Sequence, residues 1–538
     1  MDKQTHMAHL YCWNSNSAKS VEPKLGFGPL FEPFKCGGIM KKRSKGGLMV
    51  AAALLASVML AMSERAVAQP SLTASTNWTY TLLQDSQLTD DCPICDRFTI
   101  VAPLRGKFEL QLLEDNPLFS RYAVQNISFT AAAPQGGTYR ITGHGTYQVG
   151  GEVALVQEMS LEVEIDNGTA KTSCQLTNVT GLVQRPWPMI KIQLNQTNGT
   201  PTQVYQLDLA AAPLREIWFS TKNGFHPGVP IPSTDFVSAG DLIASPGRVV
   251  KRNHELTALL GIMPVVPDLG LDAVDILPKG EIAFSMEQGA YSETLGSQLH
   301  EGDVLSNQGW VLHSYAALIG AFGPEPPPAD QGLDALHTVS SNELYFSIEQ
   351  DFFSEILGRT VRRGDLLSSR GVILKTNEQL IARFNPADPK KDYGLDAVWV
   401  WPSGEIWFST EVGFNGQHFE IYGPGDLLSD QGYVVFRNLE LLGEFAPVED
   451  LADFGLDALF IVTDATPLGP APQFTSVSRS ASPGMVGLQW KGEGRVFQVE
   501  RAGDVEGPFS PLSEIASDLF YDDKTPTAPQ SFYRLRQW

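Results

Sequence analysis

The sequence predicts an all-β protein with three folded parts: an N-terminal β-sandwich or flattened barrel, a four-bladed β-propeller and a small C-terminal β-sandwich. Three observations support this prediction. The phrase Asp-Xaa-Gly-Leu-Asp-Ala occurs four times, at spacings of 62, 62 and 61 residues. Segments that alternate apolar and polar residues lie before and after these repeats, and such alternation is typical of half-solvated strands. A Pro-rich linker at 465–472 separates the last repeat from the final segment.

The repeated phrase marks one supersecondary unit that is copied at a constant period. In the third copy, an apolar run at 394–401 is followed by a tight turn and by a second strand at 405–409. A variable loop then leads to a Gly-Asp pair and to a last strand at 432–436. A unit of about four strands is the content of one propeller blade.

The two ends of the repeat region indicate that the units close into a ring. The first copy begins at its second strand, 216–220, whereas the last copy stops after a first strand at 458–462. Joined, the two fragments make one complete unit and leave no exposed sheet edge. We therefore predict a closed four-bladed propeller over residues 214–464, with a linear stack of β units as the alternative.

The repeats resemble the hemopexin-like four-bladed propeller, because an Asp-Ala pair begins an inner strand ahead of a turn and an aromatic second strand. The resemblance implies that the aspartate fixes the entry to the inner strand and that the alanine carbonyl offers an oxygen to an axial ion. Oxygen ligands without cysteine favour Ca²⁺ or Na⁺ in the propeller channel. The alternative is that the aspartates only accept backbone hydrogen bonds at a turn. The four pairs are Asp272-Ala273, Asp334-Ala335, Asp396-Ala397 and Asp457-Ala458.

The first 68 residues are predicted to be missing from the mature protein. Residues 1–39 carry no domain pattern, and Met40 begins a basic segment, an apolar run at 48–62 and a small-residue cleavage site before Gln69. We expect a non-native extension at 1–39, a signal peptide at 40–68 and no membrane span after cleavage. A genuine N-terminal extension with an internal anchor is the alternative. The signal indicates a secreted, periplasmic or cell-surface protein of a bacterium.

The net charge of the predicted mature chain argues against some classes of binding partner. From residue 69 onward the chain carries 30 basic and 57 acidic residues, a net charge of −27. This acidity argues against nucleic acid and anionic lipid as partners. It is compatible with divalent cations, with basic ligands, or simply with solubility.

Residues 69–213 read as the N-terminal all-β domain, and they hold the three cysteines of the predicted mature chain. Cys92 and Cys95 have the spacing of a redox pair or of half a zinc site, but a strand-like segment follows them instead of a helix. In an exported protein a structural disulfide is the favoured interpretation. Cys174 is the third candidate, and the pairing is not readable from the sequence.

Residues 473–538 form a last module that resembles a fibronectin type III-like sandwich. The resemblance rests on Trp490 in an early strand, on a following strand that ends at Glu500-Arg501, and on a late Tyr533-Arg534 pair. It implies a spacer or a binding accessory. The whole chain also resembles secreted bacterial proteins that combine a small β-domain, such repeats and a C-terminal module.

Function is expected where the repeats differ, in the loops at 221–240, 286–302, 348–364 and 410–425. Aromatic residues at matching positions of these loops could stack on sugar rings or contact a protein partner; the alternative is that they pack under their own loop. The residues are Phe225, Tyr291, Phe352 and Phe414.

No catalytic motif is present in the sequence: it lacks Gly-Xaa-Ser-Xaa-Gly, His-Glu-Xaa-Xaa-His and a phosphate-binding glycine loop. We therefore predict a non-enzymatic binding or adhesion protein, with an extracellular glycan or protein as its partner. One alternative is a carbohydrate-active hydrolase or lyase that uses the propeller face. The other is a structural component of the cell envelope.

Overall fold

The all-β class is confirmed by the structure, a computed structural model. It describes residues 77–538 except 134–135, 153, 233–234, 328–329, 331, 467–468, 480–484 and 526–529. The predicted extension at 1–39 and the predicted signal peptide at 40–68 lie outside the described residues. Within the described ranges, no helix is both long enough and apolar enough to cross a membrane.

The N-terminal part is one antiparallel sheet that closes on itself. Eight strands pair in the cycle β10–β2–β3–β4–β5–β6–β7–β9–β10, while β1 pairs with β3 and β10, and β8 pairs with β6. The strands are β1 Asn77–Leu82, β2 Gln87–Asp91, β3 Ile100–Asp115, β4 Phe119–Ala132, β5 Thr138–Gly150, β6 Val156–Asp166, β7 Lys171–Thr177, β8 Gly181–Leu182, β9 Ile190–Gln196 and β10 Val204–Ala212.

Alternation along the strands fills the interior of this closed sheet. In β6, Met159, Leu161, Val163 and Ile165 are buried, and the residues between them are exposed. An eight-stranded closed sheet has an interior that side chains can just fill, and Phe108 and the other large residues of β3 to β5 occupy it. The sheet therefore has a packed core of its own.

The cysteines of this sheet divide into one disulfide and one thiol. Cys92 and Cys95 are joined by a disulfide in the turn between β2 and β3. Cys174 on β7 is buried and free, and burial raises the pKa of its thiol to about 11. The two cysteines whose spacing also allowed a zinc or redox site are therefore joined to each other in a local disulfide.

Residues 214–463 form four antiparallel sheets of four strands each. Their strand orders are β33-β11-β12-β13 (sheet 1), β15-β16-β19-β20 (sheet 2), β21-β22-β25-β26 (sheet 3) and β27-β28-β31-β32 (sheet 4). The strands of these sheets are β11 Leu214–Phe219, β12 Leu242–Ala244, β13 Arg248–Lys251, β15 Val274–Ile276, β16 Ile282–Phe284, β19 Val304–Ser306, β20 Trp310–His313, β21 Leu336–Ser340, β22 Glu343–Phe346, β25 Leu366–Ser368, β26 Val372–Lys375, β27 Val398–Val400, β28 Ile406–Phe408, β31 Leu427–Ser429, β32 Tyr433–Phe436 and β33 Leu459–Thr463.

Short hairpins and helices connect the strands of the four sheets. The variable loops of sheets 2 to 4 contain the pairs β17–β18, β23–β24 and β29–β30, and β14 pairs with β17. A short helix follows the last strand of every sheet. These elements are β14 Ile262–Met263, β17 Ala290–Ser292, β18 Ser297–Leu299, β23 Phe352–Ser354, β24 Arg359–Val361, β29 Phe414–Asn415, β30 Ile421–Tyr422, α1 Asn253–Leu256, α2 Tyr315–Gly320, α3 Asn377–Ile381 and α4 Asn438–Leu441, with 3₁₀ turns at Pro278–Gly280 and Ala382–Phe384.

The last strand of the repeat region completes the first sheet. β33 pairs with β11 from Leu214 opposite Thr463 to Phe219 opposite Leu459, which is the pairing that the two repeat fragments predict. The first strands of neighbouring sheets contact one another in the cyclic order β33, β15, β21, β27 and back to β33. The four sheets therefore surround a common axis, and each phrase enters a strand beside that axis.

Serine hydroxyls link each sheet to the next. The serine that follows the second strand of each sheet donates its hydroxyl to the carbonyl oxygen of the leucine in the phrase of the next sheet. The four links run from Ser220 to Leu271 at 2.7 Å, Ser285 to Leu333 at 2.9 Å, Ser347 to Leu395 at 2.6 Å and Ser409 to Leu456 at 2.7 Å. The last of these joins sheet 4 to sheet 1.

A Ser409→Ala variant is expected to lose about 1–3 kcal/mol of unfolding free energy, because the buried carbonyl of Leu456 loses this hydrogen bond. Chemical denaturation of the purified chain measures the change. Ser341→Ala, in an exposed turn, is the matched control and should change stability by less than about 0.5 kcal/mol. Equal stability of the two variants would show that the hydroxyl link contributes nothing.

The C-terminal part consists of two three-stranded sheets, ordered β34-β35-β38 and β37-β36-β39. Leu488, Trp490, Phe497 and Val499 are buried at its core. Its strands are β34 Gln473–Arg479, β35 Val486–Lys491, β36 Phe497–Ala502, β37 Ser510–Pro511, β38 Phe520–Asp523 and β39 Phe532–Gln537.

The C-terminal part packs against sheets 1 to 3, within one compact unit that includes the described residues from 77 onward. The Arg495 guanidinium lies 2.9 Å from the carboxylate of Asp275 on β15 and also donates to the backbone of β21. The Lys251 ammonium lies 2.8 Å from the carboxylate of Asp518. Although the linker at 465–472 is Pro-rich, these ion pairs and hydrogen bonds hold the C-terminal part against the four sheets.

Candidate functional site

The candidate site lies where the four phrases enter the strands around the axis. In each phrase the first aspartate shapes the turn: the Asp268 carboxylate accepts hydrogen bonds from the backbone N–H of Gly270 at 2.9 Å and of Gly240 at 3.1 Å. The phrase glycine has a φ of +76° at Gly270, a conformation that favours glycine. A Cβ there would also lie 2.5 Å from Cγ of Glu287. The turn therefore needs both residues as they are.

The second aspartate of each phrase is buried beside the axis, with exposures of 8, 7, 5 and 4% in chain order. In their ionised forms several of their oxygens receive no hydrogen bond from the described residues. These atoms are Oδ2 of Asp272, Oδ2 of Asp396 and both carboxylate oxygens of Asp457. A buried carboxylate without partners is costly, so this site requires protons or a cation.

A second layer of charged residues lies over the four aspartates. The residue two positions after each linking serine is Lys222 in sheet 1 and a glutamate in sheets 2 to 4: Glu287, Glu349 and Glu411. Each packs against the phrase glycine of its own sheet. The three glutamates are half-buried and Lys222 is exposed, so this layer forms the rim through which solvent meets the aspartates.

Lysine at one rim position makes the site asymmetric. The Lys222 ammonium opposes the rise in the pKa values of Asp272, Asp396 and Asp457. Burial lowers the pKa of Lys222, but the neighbouring carboxylates outweigh this effect and raise it. Carboxylate oxygens of Asp272, Asp334 and Glu349 lie within 4.8 Å of one another, so the site holds one tethered cation and one cluster of three carboxyl groups.

Burial and mutual repulsion raise the pKa values of the axial carboxyl groups. Desolvation is the largest cause for all four aspartates, followed by neighbouring carboxylates or, for Asp396, by the opposing effect of Lys222. The pKa of Asp396 rises to about 7. Desolvation and nearby carboxylates also raise the pKa of the half-buried Glu349 to about 7. Near neutral pH the cluster therefore exchanges protons readily.

The alanine carbonyls are already used within the sheets. The backbone N–H of Ser285 donates to the Ala273 carbonyl at 3.1 Å, and the equivalent bonds to Ala335, Ala397 and Ala458 measure 3.3, 3.2 and 3.4 Å. The oxygens without a donor belong instead to the aspartate side chains. Each alanine carbonyl oxygen therefore has one lone pair in use and a second one left.

The structure buries three of the four aromatic residues that the sequence offered as ligand contacts. Phe225, Phe352 and Phe414 are 0, 6 and 4% exposed, because each packs against other aromatic rings of its own or a neighbouring loop. Tyr291 is 46% exposed. Phe353, one residue beyond the position that the sequence indicated, is 48% exposed. The three phenylalanines therefore pack under their loops, which was the alternative to a role in ligand binding.

Sequence reasoning missed the rim. Its signal was nevertheless present, since the residue two positions after the recurring Phe-Ser pair is Lys, Glu, Glu and Glu in the four copies. Because this position is Lys in one copy and Glu in the other three, the charges around the axis are not the same in all four sheets.

No protein-family model and no curated protein matches this chain. Among solved structures, the extracellular domain of a protein described as a one component system from B. thetaiotaomicron is 8% identical, with 82% of this chain and 76% of that chain covered and a TM-score of 0.18. The extracellular domain of a protein described as a hybrid two component system from the same organism is 6% identical, with 83 and 82% covered and a TM-score of 0.20. At these TM-scores neither likeness defines the fold or the function of this chain.

Proposed function

We propose that this chain is an extracellular, non-enzymatic binding protein whose four sheets form a closed, hemopexin-like four-bladed propeller with a Ca²⁺ ion among its axial carboxylates. The observation that carries the proposal is the cluster of Asp272, Asp334 and Glu349, whose carboxylate oxygens lie within 4.8 Å of one another, with Oδ2 of Asp272 receiving no hydrogen bond from the described residues. The aspartates and the rim contribute seven carboxyl groups, against which stand the ammonium of Lys222 and the guanidinium of Arg363, which pairs with Glu411 at 2.6 Å. A bound divalent cation would supply the missing charge at neutral pH.

The side chains of the cluster favour calcium. They offer only carboxylate oxygens, which are the ligands of hard cations, whereas zinc prefers sites that include histidine or cysteine. Ca²⁺ accepts six to eight oxygens in flexible geometry, and the rim is open to water for the remaining positions. The proposed position of the ion is among Asp272, Asp334 and Glu349, because their carboxylate oxygens lie within 4.8 Å of one another.

An extracellular location is supported by the disulfide between Cys92 and Cys95, because such bonds persist mainly in oxidising compartments. The signal peptide predicted at 40–68 agrees with it. A propeller closed by β33 gives the variable hairpins a fixed scaffold, and sites on rigid scaffolds are typical of binding proteins. The three parts would then serve to present ligand-binding loops outside the cell.

Calorimetric titration of the purified chain with Ca²⁺ tests the proposal, and saturable binding of about one ion per chain is expected. Asp334→Asn removes one of the three clustered carboxylates and should weaken binding at least tenfold. Asp96→Asn, on an exposed loop, is the matched control and should bind as the unmodified chain does. Absence of saturable binding at millimolar Ca²⁺, or equal binding by Asp334→Asn, would refute the proposed ion site.

One observation favours a carbohydrate-active enzyme as a second candidate. Glu349 is half-buried with a pKa of about 7, which suits a general acid at neutral pH. It also lies beside Asp334 and Asp272, and paired carboxyl groups cleave glycosidic bonds. Release of reducing ends from acidic or neutral polysaccharides, abolished in Glu349→Gln and retained in Glu355→Gln, would favour the enzyme over the binding protein.

A further inference from the structure

A groove of about 430 Å³ lies on sheet 3, on the outer side of the hairpin β23–β24 and next to helix α3. Residues of the hairpin, of the start of α3 and of the segment that leads to the third phrase form its walls. They are Arg359, Thr360, Arg362, Asp365, Thr376, Asn377, Glu378 and Lys391. The axial aspartates are not among them, so the groove is a separate feature.

Next to the groove, sheet 3 lacks an arginine that sheets 1 and 4 possess; sheet 2 lacks it too and has Ser314 there. Arg252 precedes α1 and places its guanidinium 2.5 Å from the Asp241 carboxylate. Arg437 precedes α4 and contacts Asp426 in the same way, also at 2.5 Å. In sheet 3 the equivalent residue is Thr376. The volume that a guanidinium fills in the other two sheets is therefore open next to Asp365.

The positive charges that line the groove are not neutralised by its two acidic residues. The Asp365 carboxylate accepts backbone N–H groups of Arg362 at 3.2 Å and of Asn377 at 3.3 Å, and its nearest guanidinium, that of Arg359, is 3.9 Å away. Glu378 pairs with Lys390 at 3.1 Å, outside the groove lining. The exposed side chains of Arg362 and Lys391 thus add net positive charge to the groove of an acidic protein.

We propose that this groove binds an oxyanion carried on a small polar molecule, such as the carboxylate or sulfate group of an acidic sugar. Two guanidinium groups can bind a carboxylate or sulfate through paired N–H donors. The hydroxyls of Thr360 and Thr376 offer further donors at the wall. The volume exceeds what a bare ion needs and lies in the range of small-molecule sites, so the anion has an organic part. This site is independent of the axial cation.

A comparison of the four repeats suggests a substitution that tests whether the groove binds the anion. Thr376→Arg places in sheet 3 the arginine of sheets 1 and 4, and it should pair with Asp365, fill the groove and leave the fold intact or more stable. Glucuronate, inorganic sulfate and glucose are the probes, titrated into the full chain at concentrations on the order of 10 mM and below. Binding of glucuronate at least tenfold tighter than glucose is expected, with at least a tenfold loss in Thr376→Arg.

Arg362→Gln provides a second test that leaves the groove open and removes one cation; it should also weaken glucuronate binding about tenfold. Arg140→Gln, on the exposed surface of the N-terminal sheet, makes the same change in net charge and should not affect binding. Sulfate competition with glucuronate would support a shared oxyanion position. Equal binding of glucose and glucuronate, no binding of either anion, or unchanged binding by both groove variants would overturn the proposal.

Discussion

Replacing Asp464 by alanine is expected to lower the free energy of unfolding by about 3–5 kcal/mol. Its carboxylate, 7% exposed, is shared by all three folded parts. It accepts the backbone N–H of Thr79 at 2.7 Å, the Nε–H of Arg215 at 2.8 Å and the indole N–H of Trp538 at 2.8 Å. The variant leaves a buried guanidinium and two other donors without their acceptor, which is costlier than losing an exposed ion pair.

Denaturant unfolding of the full chain measures this loss. Asp464→Asn keeps one acceptor oxygen and should lose less than the alanine variant, whereas Asp96→Ala at an exposed position should change stability by less than about 0.5 kcal/mol. The alanine variant should also separate the unfolding transitions of the terminal parts from that of the four sheets. A single unchanged transition in Asp464→Ala would show that this carboxylate does not couple the three parts.

The second large effect is a dependence of stability on pH when cations are removed. The pKa of Asp396 is about 7 in the folded chain and about 3.9 in an unfolded one. Between these values the folded state holds a proton that the unfolded state has lost, so the contribution of Asp396 to stability falls as the pH rises from about 4 to 7. Asp272, Asp334 and Asp457, whose pKa values are also raised, change stability in the same direction. For this one group the loss is on the order of 4 kcal/mol.

Thermal unfolding in chelator, at several pH values between 4 and 8, measures this dependence. Asp396→Asn should make the fall of stability with pH less steep, because the amide does not titrate while the other axial carboxyl groups still do. Saturating Ca²⁺ should restore stability at pH 8 more than at pH 5, since at low pH protons already neutralise the carboxylates. A melting temperature in chelator that stays constant or rises over this interval would contradict the expected sign.

The pairing that completes sheet 1 could be predicted because the repeats carry their own boundaries. The first copy starts at the second strand, with Glu216, and the last copy ends with the first strand, at Val462. Those two fragments pair as β11 and β33. The prediction needed only the order of the strands within each copy. That order can be read by aligning the copies, and it does not depend on side-chain contacts.

Side-chain direction in the loops was not predictable in the same way. Phe352 and Phe353 are neighbours in β23, and adjacent residues of a strand point to opposite sides. The sequence does not reveal which of the two faces the core, and Phe352 does so while Phe353 is exposed. The aspartates of the axial cluster could be found from the repeated phrase, but Lys222 lies far along the chain from Gly455, the phrase glycine that it contacts. That contact follows from the pairing of β11 with β33 rather than from a local pattern.

The contacts between parts also escaped sequence reasoning. Arg495 and Asp275 are 220 residues apart, and neither belongs to a recognisable motif. A Pro-rich linker predicts separation, whereas the structure packs the final module against the sheets. Long-range ion pairs depend on the final orientation of two folded surfaces, which no local property of the chain specifies.

The pairing of β11 with β33 sets an order of events during synthesis. A ribosome releases β11 long before β33, since Arg215 and Asp464 are separated by 249 residues. Until the last of those residues emerges, one side of β11 is an unpaired strand edge that can recruit another chain. A nascent or prematurely terminated polypeptide is therefore exposed to intermolecular strand exchange throughout that interval.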